Sequence, residues 1–122
     1  MSIFDDDTVE VRLETAGGSR PFIVVNPAGV VYDECVTERL EDLPTFYEVS
    51  QVAVKRQPDR WTVELRIDAE PIKGERPTVK RPWGIHVNRQ RMAGERPEHT
   101  MLSPSGTNFK NMTTMASLTV PE

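Results

Sequence analysis

The chain has 122 residues, a net charge of −4 and a pI near 5.2. That is the length of one domain, with no overall basic footprint for nucleic acid, and its 28% of charged residues, close to the usual globular share, argues against general disorder. No apolar run approaches membrane-spanning length, and a single cysteine, Cys35, excludes an intrachain disulfide and a cysteine-based zinc site.

The opening "MSIFDDD" shows neither the basic n-region nor the apolar h-region of a secretory signal, and the compartment is left unassigned. "TVEVRLE" then sets Val9, Val11 and Leu13 against Thr8, Glu10, Arg12 and Glu14, the pattern of a strand with one buried face. "AGGSRP" is a turn, and "FIVVN" is a short apolar run suited to a strand covered on both faces. "NPAG" places Pro27 second and Gly29 fourth in a tight turn, so Val30, Val31 and Tyr32 are expected to return as a hairpin. Residues 33–44 are short and acidic and read as loop with at most one helical turn. "FYEVSQVAVKRQ" is a strand of moderate quality. After a turn at "RQPDR", "WTVELRI" points Trp61, Val63, Leu65 and Ile67 inward. "EPIKGERPTVKRP" reads as an exposed loop. In "PWGIHVNRQR" Trp83, Ile85, Val87 and Arg89 share one face, while Gly84, His86, Asn88 and Gln90 share the other. "MAGERPEHTMLSPSGTNFKNMTT" is a long polar loop, and "MASLTV" closes as a strand.

Short strands separated by turn signals, without a convincing helix, predict one all-β domain over residues 1–122, an antiparallel sandwich. Trp61 and Trp83 read as core, because each opens an inward-facing series. Cys35 reads as an inert thiol, with no histidine near it in sequence. Lys80 and Arg81 with Arg89, Arg91 and Arg96 form a local basic cluster, which reads as a binding patch or, at least as well, as a solvated face offset by neighbouring glutamates. Asp5, Asp6 and Asp7 with Asp33 and Glu34 offer oxygens to Ca²⁺, but EF-hand spacing is absent and a solvated acidic terminus is preferred; no cofactor is expected. His86 and His99 lack zinc-site spacing, and no Met–His pair stands out as a haem ligand set. Glu10, Glu64, Glu95 and Glu98 are explained by outward strand positions or loops, so the placed carboxylate pair of a glycosidase is not expected.

Several segments, in order, resemble the family 9 carbohydrate-binding modules and their DOMON-like, immunoglobulin-like β-sandwich relatives. "FDDDTVEVRL" is similar to that family's aromatic-x-x-Asp-Ser-Val-Glu strand, and "FIVVNPAGVVYDE" to its "VNPxGxxxD" hairpin. "DRWTVELRI" resembles "GWxxExxIP", and "PWGIHVNRQR" resembles "WGINFxRxR". "EHTMLSPSGTNFKNMTTMASLTV" is similar to the closing segment, which runs from a Trp-Ser-Pro to a Phe-Gly-x-Leu. The resemblance implies a noncatalytic module that holds a mono- or oligosaccharide for an attached or associated polysaccharide-degrading enzyme. It places stacking rings at Phe4 and Phe109 and polar contacts at Glu10, Asn88 and Arg89, with His86 on the same ligand face. Phe109 lies in a polar loop and reads equally well as a platform or as a loop anchor. Members of the family work mostly outside the cytoplasm.

The family's clamp tryptophans are phenylalanines here, its Trp before Ser-Pro falls on Met101, and its Phe-Gly becomes Met115-Ala116. The rival expectation is therefore a structural or protein-interaction sandwich that has lost sugar binding. The family's first strands have no counterpart before "TVEVRLE". On that alignment Val9, Val11 and Leu13, or the residues facing them, would be left exposed beside an unpaired edge, and strand exchange in a homodimer, a strand from another chain, or residues beyond those in the sequence are expected to fill the gap.

Overall fold

The structure, a computed structural model, describes residues 2–36, 50–102 and 115–121. After a single 3₁₀ turn at Ile3–Asp5, the chain forms β1 (Thr8–Glu14), β2 (Arg20–Val25), β3 (Val31–Val36), β4 (Ser50–Arg56), β5 (Trp61–Ile67), β6 (Trp83–Arg91), β7 (Glu98–Met101) and β8 (Ala116–Leu118). Every strand pair is antiparallel. A six-stranded sheet runs β3-β2-β1-β6-β7, with β8 pairing the opening residues of β6, and β4 and β5 form a separate two-stranded layer. The fold is an all-β sandwich of open sheets, as the alternation predicts.

The core lies between the layers. Ile23, Val25, Cys35 and Ile72 form its buried centre, and Val52, Val54, Val63, Leu65 and Ile67 close over them from β4 and β5. Side chains of odd-numbered residues in β1 to β3 and β6 therefore face this inner side, while Glu10, Arg12, Phe22, Val24, Tyr32, Glu34, His86 and Asn88 share the outer side. β2 is buried on both, as its unbroken apolar run requires.

The Asn26–Gly29 turn forms for local reasons. Asn26 Oδ1 accepts from the Ala28 and Val30 amides at 3.1 and 2.8 Å, and Gly29 closes the turn at φ 80°. A Cβ at Gly29 would meet nothing within 4 Å, so its left-handed backbone alone favours glycine there.

Four expectations need correction. β3 continues to Val36 where loop was expected, because pairing with β2 through Pro21↔Cys35 and Arg20↔Val36 outweighs the weak strand propensity of Asp33 and Glu34; residues 37–44 lie outside the described residues. The segment between β5 and β6 is more than an exposed loop. Ile72, 1% exposed, plugs the core, and burial of such a side chain contributes about 1.5–3 kcal/mol. Glu98–Met101, expected as loop, forms β7 against the end of β6; its mostly exposed residues carry no hydrophobic alternation to announce it. Lastly, β1 is paired along both edges by β2 and β6 of its own chain, and Leu13 is buried. Strand exchange is not needed to complete β1, although Val9, Val11, Ile85 and Val87 are only half-buried on the inner side.

Candidate functional site

Adjacent register on the outer side of the large sheet gathers the polar side chains of β1 and β6. Glu10 lies opposite Asn88, and Arg12 opposite His86. All four are drawn out of water to some degree, and Glu10, Asn88 and His86 are buried. Asn88 Nδ2 donates to Glu10 Oε2 at 3.2 Å. The Asn88 Oδ1 and the Thr8 hydroxyl, both buried, have no hydrogen-bond partner among the described residues. An unmatched buried acceptor costs about 1–3 kcal/mol, so a sheet that keeps one needs a reason.

Beside this polar strip runs a line of aromatic rings. Phe4 meets Tyr32 edge to face at 5.5 Å between centroids, and Tyr32 meets Phe22 at 6.2 Å. The Arg12 guanidinium lies 4.1 Å above the Phe22 ring. Phe4 is held in place by its neighbours. Ser2 caps the 3₁₀ turn, its Oγ accepting from the Phe4 amide, while Gln90 Nε2 donates to the Phe4 carbonyl at 2.7 Å. Phe4 and Tyr32 remain 42% and 40% exposed, which leaves ring surface open to a ligand.

Burial sets the charges. It pushes the Arg12 guanidinium below its ordinary value, with Glu34 and then Glu10 pulling the other way. Burial likewise lowers His86, and neighbouring Arg12 lowers it further, so its imidazole is neutral at pH 7. Glu34, which accepts from the Tyr32 hydroxyl at 3.2 Å, is the main cause of a raised tyrosine pKa, followed by burial. The strip thus offers carboxylate and amide acceptors, a cation and a neutral imidazole, a set suited to hydroxyl groups. Cys35 faces the core, its thiol pushed up to about 11 chiefly by burial.

The residues named from sequence are distributed unevenly. Glu10 and Asn88 are brought into contact, with Phe4 on the same end of the sheet. Arg89 is separated from them. It faces the inner side opposite Val9 and lines a cavity with Arg56 and Trp61 of the other layer. Trp83 is buried as expected, its indole N–H donating to the Glu75 carbonyl at 2.9 Å. Trp61 is only half-buried, at the cavity wall rather than in the core. Phe109 lies outside the described residues. Arg12, Phe22 and Tyr32 were not singled out from the sequence; the continuation of β3 to Val36, which aligns Tyr32 and Glu34 with Phe22, was the missing signal.

The acidic N-terminal residues bond within the fold. Asp5 accepts from the Ser2 amide and Asp6 from Asn26 Nδ2, while Asp7 Oδ1 accepts from the Met92 and Ala93 amides at 2.6 and 3.1 Å. Among the described residues no group of three or more His, Cys, Asp or Glu side chains is placed to hold a metal. No helix among them is long and apolar enough to cross a membrane. Comparison with family models, curated proteins and solved structures finds no match for the chain.

Proposed function

We propose that this domain is a noncatalytic carbohydrate-binding module that takes a mono- or oligosaccharide on the outer side of its large sheet. The observation that carries the reading is the buried Glu10–Asn88 pair, with the Asn88 Oδ1 left as an unused acceptor, on the side of the sheet that also carries the exposed Phe4 and Tyr32 rings. A pyranose presents apolar C–H faces and hydroxyl edges. The rings suit the first, and an acceptor pair next to a guanidinium and a neutral imidazole suits the second. The order of motifs shared with family 9 carbohydrate-binding modules supports the same reading.

Calorimetric titration with soluble glucans, xylans and cello-oligosaccharides tests it. One class should bind, and Glu10→Gln, which removes a charge-assisted acceptor, should weaken that binding by roughly 10- to 100-fold. Phe4→Ala should weaken it less. Binding that ignores both substitutions would place the sugar elsewhere.

A second reading, a structural or interaction sandwich, is favoured by one observation. Val9, Val11, Ile85 and Val87 are only half-buried on the inner side, next to a layer of two strands. Sedimentation at low micromolar concentration separates the readings. Self-association abolished by Val11→Lys, together with silence in every sugar titration, would favour this one.

A further inference from the structure

The inner side of β6 changes character along its length. Trp83, Ile85 and Val87 are followed on the same face by Arg89 and Arg91, both exposed. At that end of the sandwich the β4–β5 hairpin brings Arg56, Trp61 and Arg60 to the facing wall, and the space between is a cavity of about 570 Å³. Four arginines from two sheets line it against two aspartates, Asp7 and Asp59. Arginines therefore outnumber carboxylates along this wall, in a chain whose net charge is −4. Such a local reversal concentrates anions from solution.

The arginines are not consumed equally. Arg60 is held by Gln57 at 2.8 Å and lies 3.8 Å from Asp59; Arg91 lies 3.5 Å from Glu98. Arg56 and Arg89 have no ion pair or side-chain hydrogen bond among the described residues. Asp7 is committed to the Met92 and Ala93 amides, which fixes the wall behind Arg89 and Arg91. Two unpaired forks from opposite layers, with a half-buried indole lining the same cavity, form a binding site for an oxyanion carried on a ring.

We infer that this cavity binds an acidic sugar unit, one bearing a sulfate or carboxylate, with Arg56 and Arg89 gripping the oxyanion and Trp61 stacking on the ring. The sugar part rests on the carbohydrate reading; the oxyanion part rests on the arginines alone. The site is separate from the Glu10–Asn88 strip, which lies on the other side of the sheet.

NMR titration of the full chain at low salt with glucose 6-sulfate, glucuronate, inorganic sulfate and glucose tests it. Glucose 6-sulfate or glucuronate should shift the Trp61 indole signal, and raising the salt should reverse the shift. The double variant Arg56→Gln/Arg89→Gln should weaken this binding by about tenfold or more while its spectrum stays folded. Because both side chains are exposed, Arg56→Lys/Arg89→Lys serves as a second variant that keeps charge and loses the fork; it should retain only part of the affinity. No shift with either acidic sugar, or a shift that the Gln variants leave unchanged, overturns the inference. Equal affinity for inorganic sulfate overturns its sugar part. Neutral oligosaccharide binding at the outer strip should be the same in these variants, so failure here is distinguishable from failure of the proposed function.

Discussion

Replacing Asn88 by leucine removes the Nδ2 donor from a Glu10 carboxyl that is only 8% exposed. Losing a hydrogen bond to a buried charged group costs about 1.5–3 kcal/mol. Removing the unmatched Asn88 Oδ1 returns part of that, and the 3.2 Å length lies at the long end of the range for such bonds, so a net loss of about 1–2 kcal/mol is expected. For a domain of this size that lowers Tm by roughly 3–8 °C. The informative variant is the double, Glu10→Met/Asn88→Leu, because replacing a buried polar pair by apolar residues of similar volume is often neutral or stabilising by about 1–4 kcal/mol. We expect its stability to match or exceed that of the native chain, while sugar binding disappears. Urea unfolding of the four proteins gives the coupling energy directly, and it should be about 1 kcal/mol or more. A double variant less stable than either single would refute the reasoning, by showing that the pair is kept for the fold and not for a ligand.

Gly17→Ala should be among the most damaging single substitutions, since its Cβ would collide with the Lys73 carbonyl oxygen; thermal unfolding should register a loss of about 2 kcal/mol or more. His86 titrates below its ordinary 6.5, so the unfolded chain binds its proton first; the stabilisation is full above about pH 6.5 and is lost as pH falls toward the lowered value. His86→Gln should flatten the dependence of stability between about pH 7 and pH 5, and an unchanged slope would assign it to other groups. Cys35 should resist a thiol reagent at about pH 8 in the native chain and react at once in denaturant; fast native labelling would contradict its burial.

The strands that carry their own alternation were legible. "WTVELRI" declares which side chains face inward, and "NPAG" declares its turn; "TVEVRLE" declares its two faces but not their burial, since Thr8 and Glu10 are buried and Val9 and Val11 only half-buried. What was hidden depends on neighbours far along the chain. Asp33 and Glu34 look like loop until β2 supplies their pairing, and β7 exists because the end of β6 offers an edge. The mixed pattern of "PWGIHVNRQR" resolves once both sides are placed. His86 and Asn88 join the outer strip, whereas Arg89 and Arg91 end the inner side at a cavity. Glu10 and Asn88 could be named from the family resemblance, but their contact follows from a register that joins residues 78 positions apart. Arg56 carried no signal and Trp61 read only as core, because the cavity they line is made by two sheets meeting.

The central claim is that a saccharide sits on the outer strip. Its most direct test is an NMR titration that follows the Asn88 side-chain amide and the Phe4 and Tyr32 ring signals as neutral gluco- and xylo-oligosaccharides are added. All three groups should shift together along one saturable curve with at least one of these sugars, and the Asn88 amide response should vanish in Glu10→Gln. Saturation with sugar that moves none of the three, or that moves only residues on the inner side, would contradict the account.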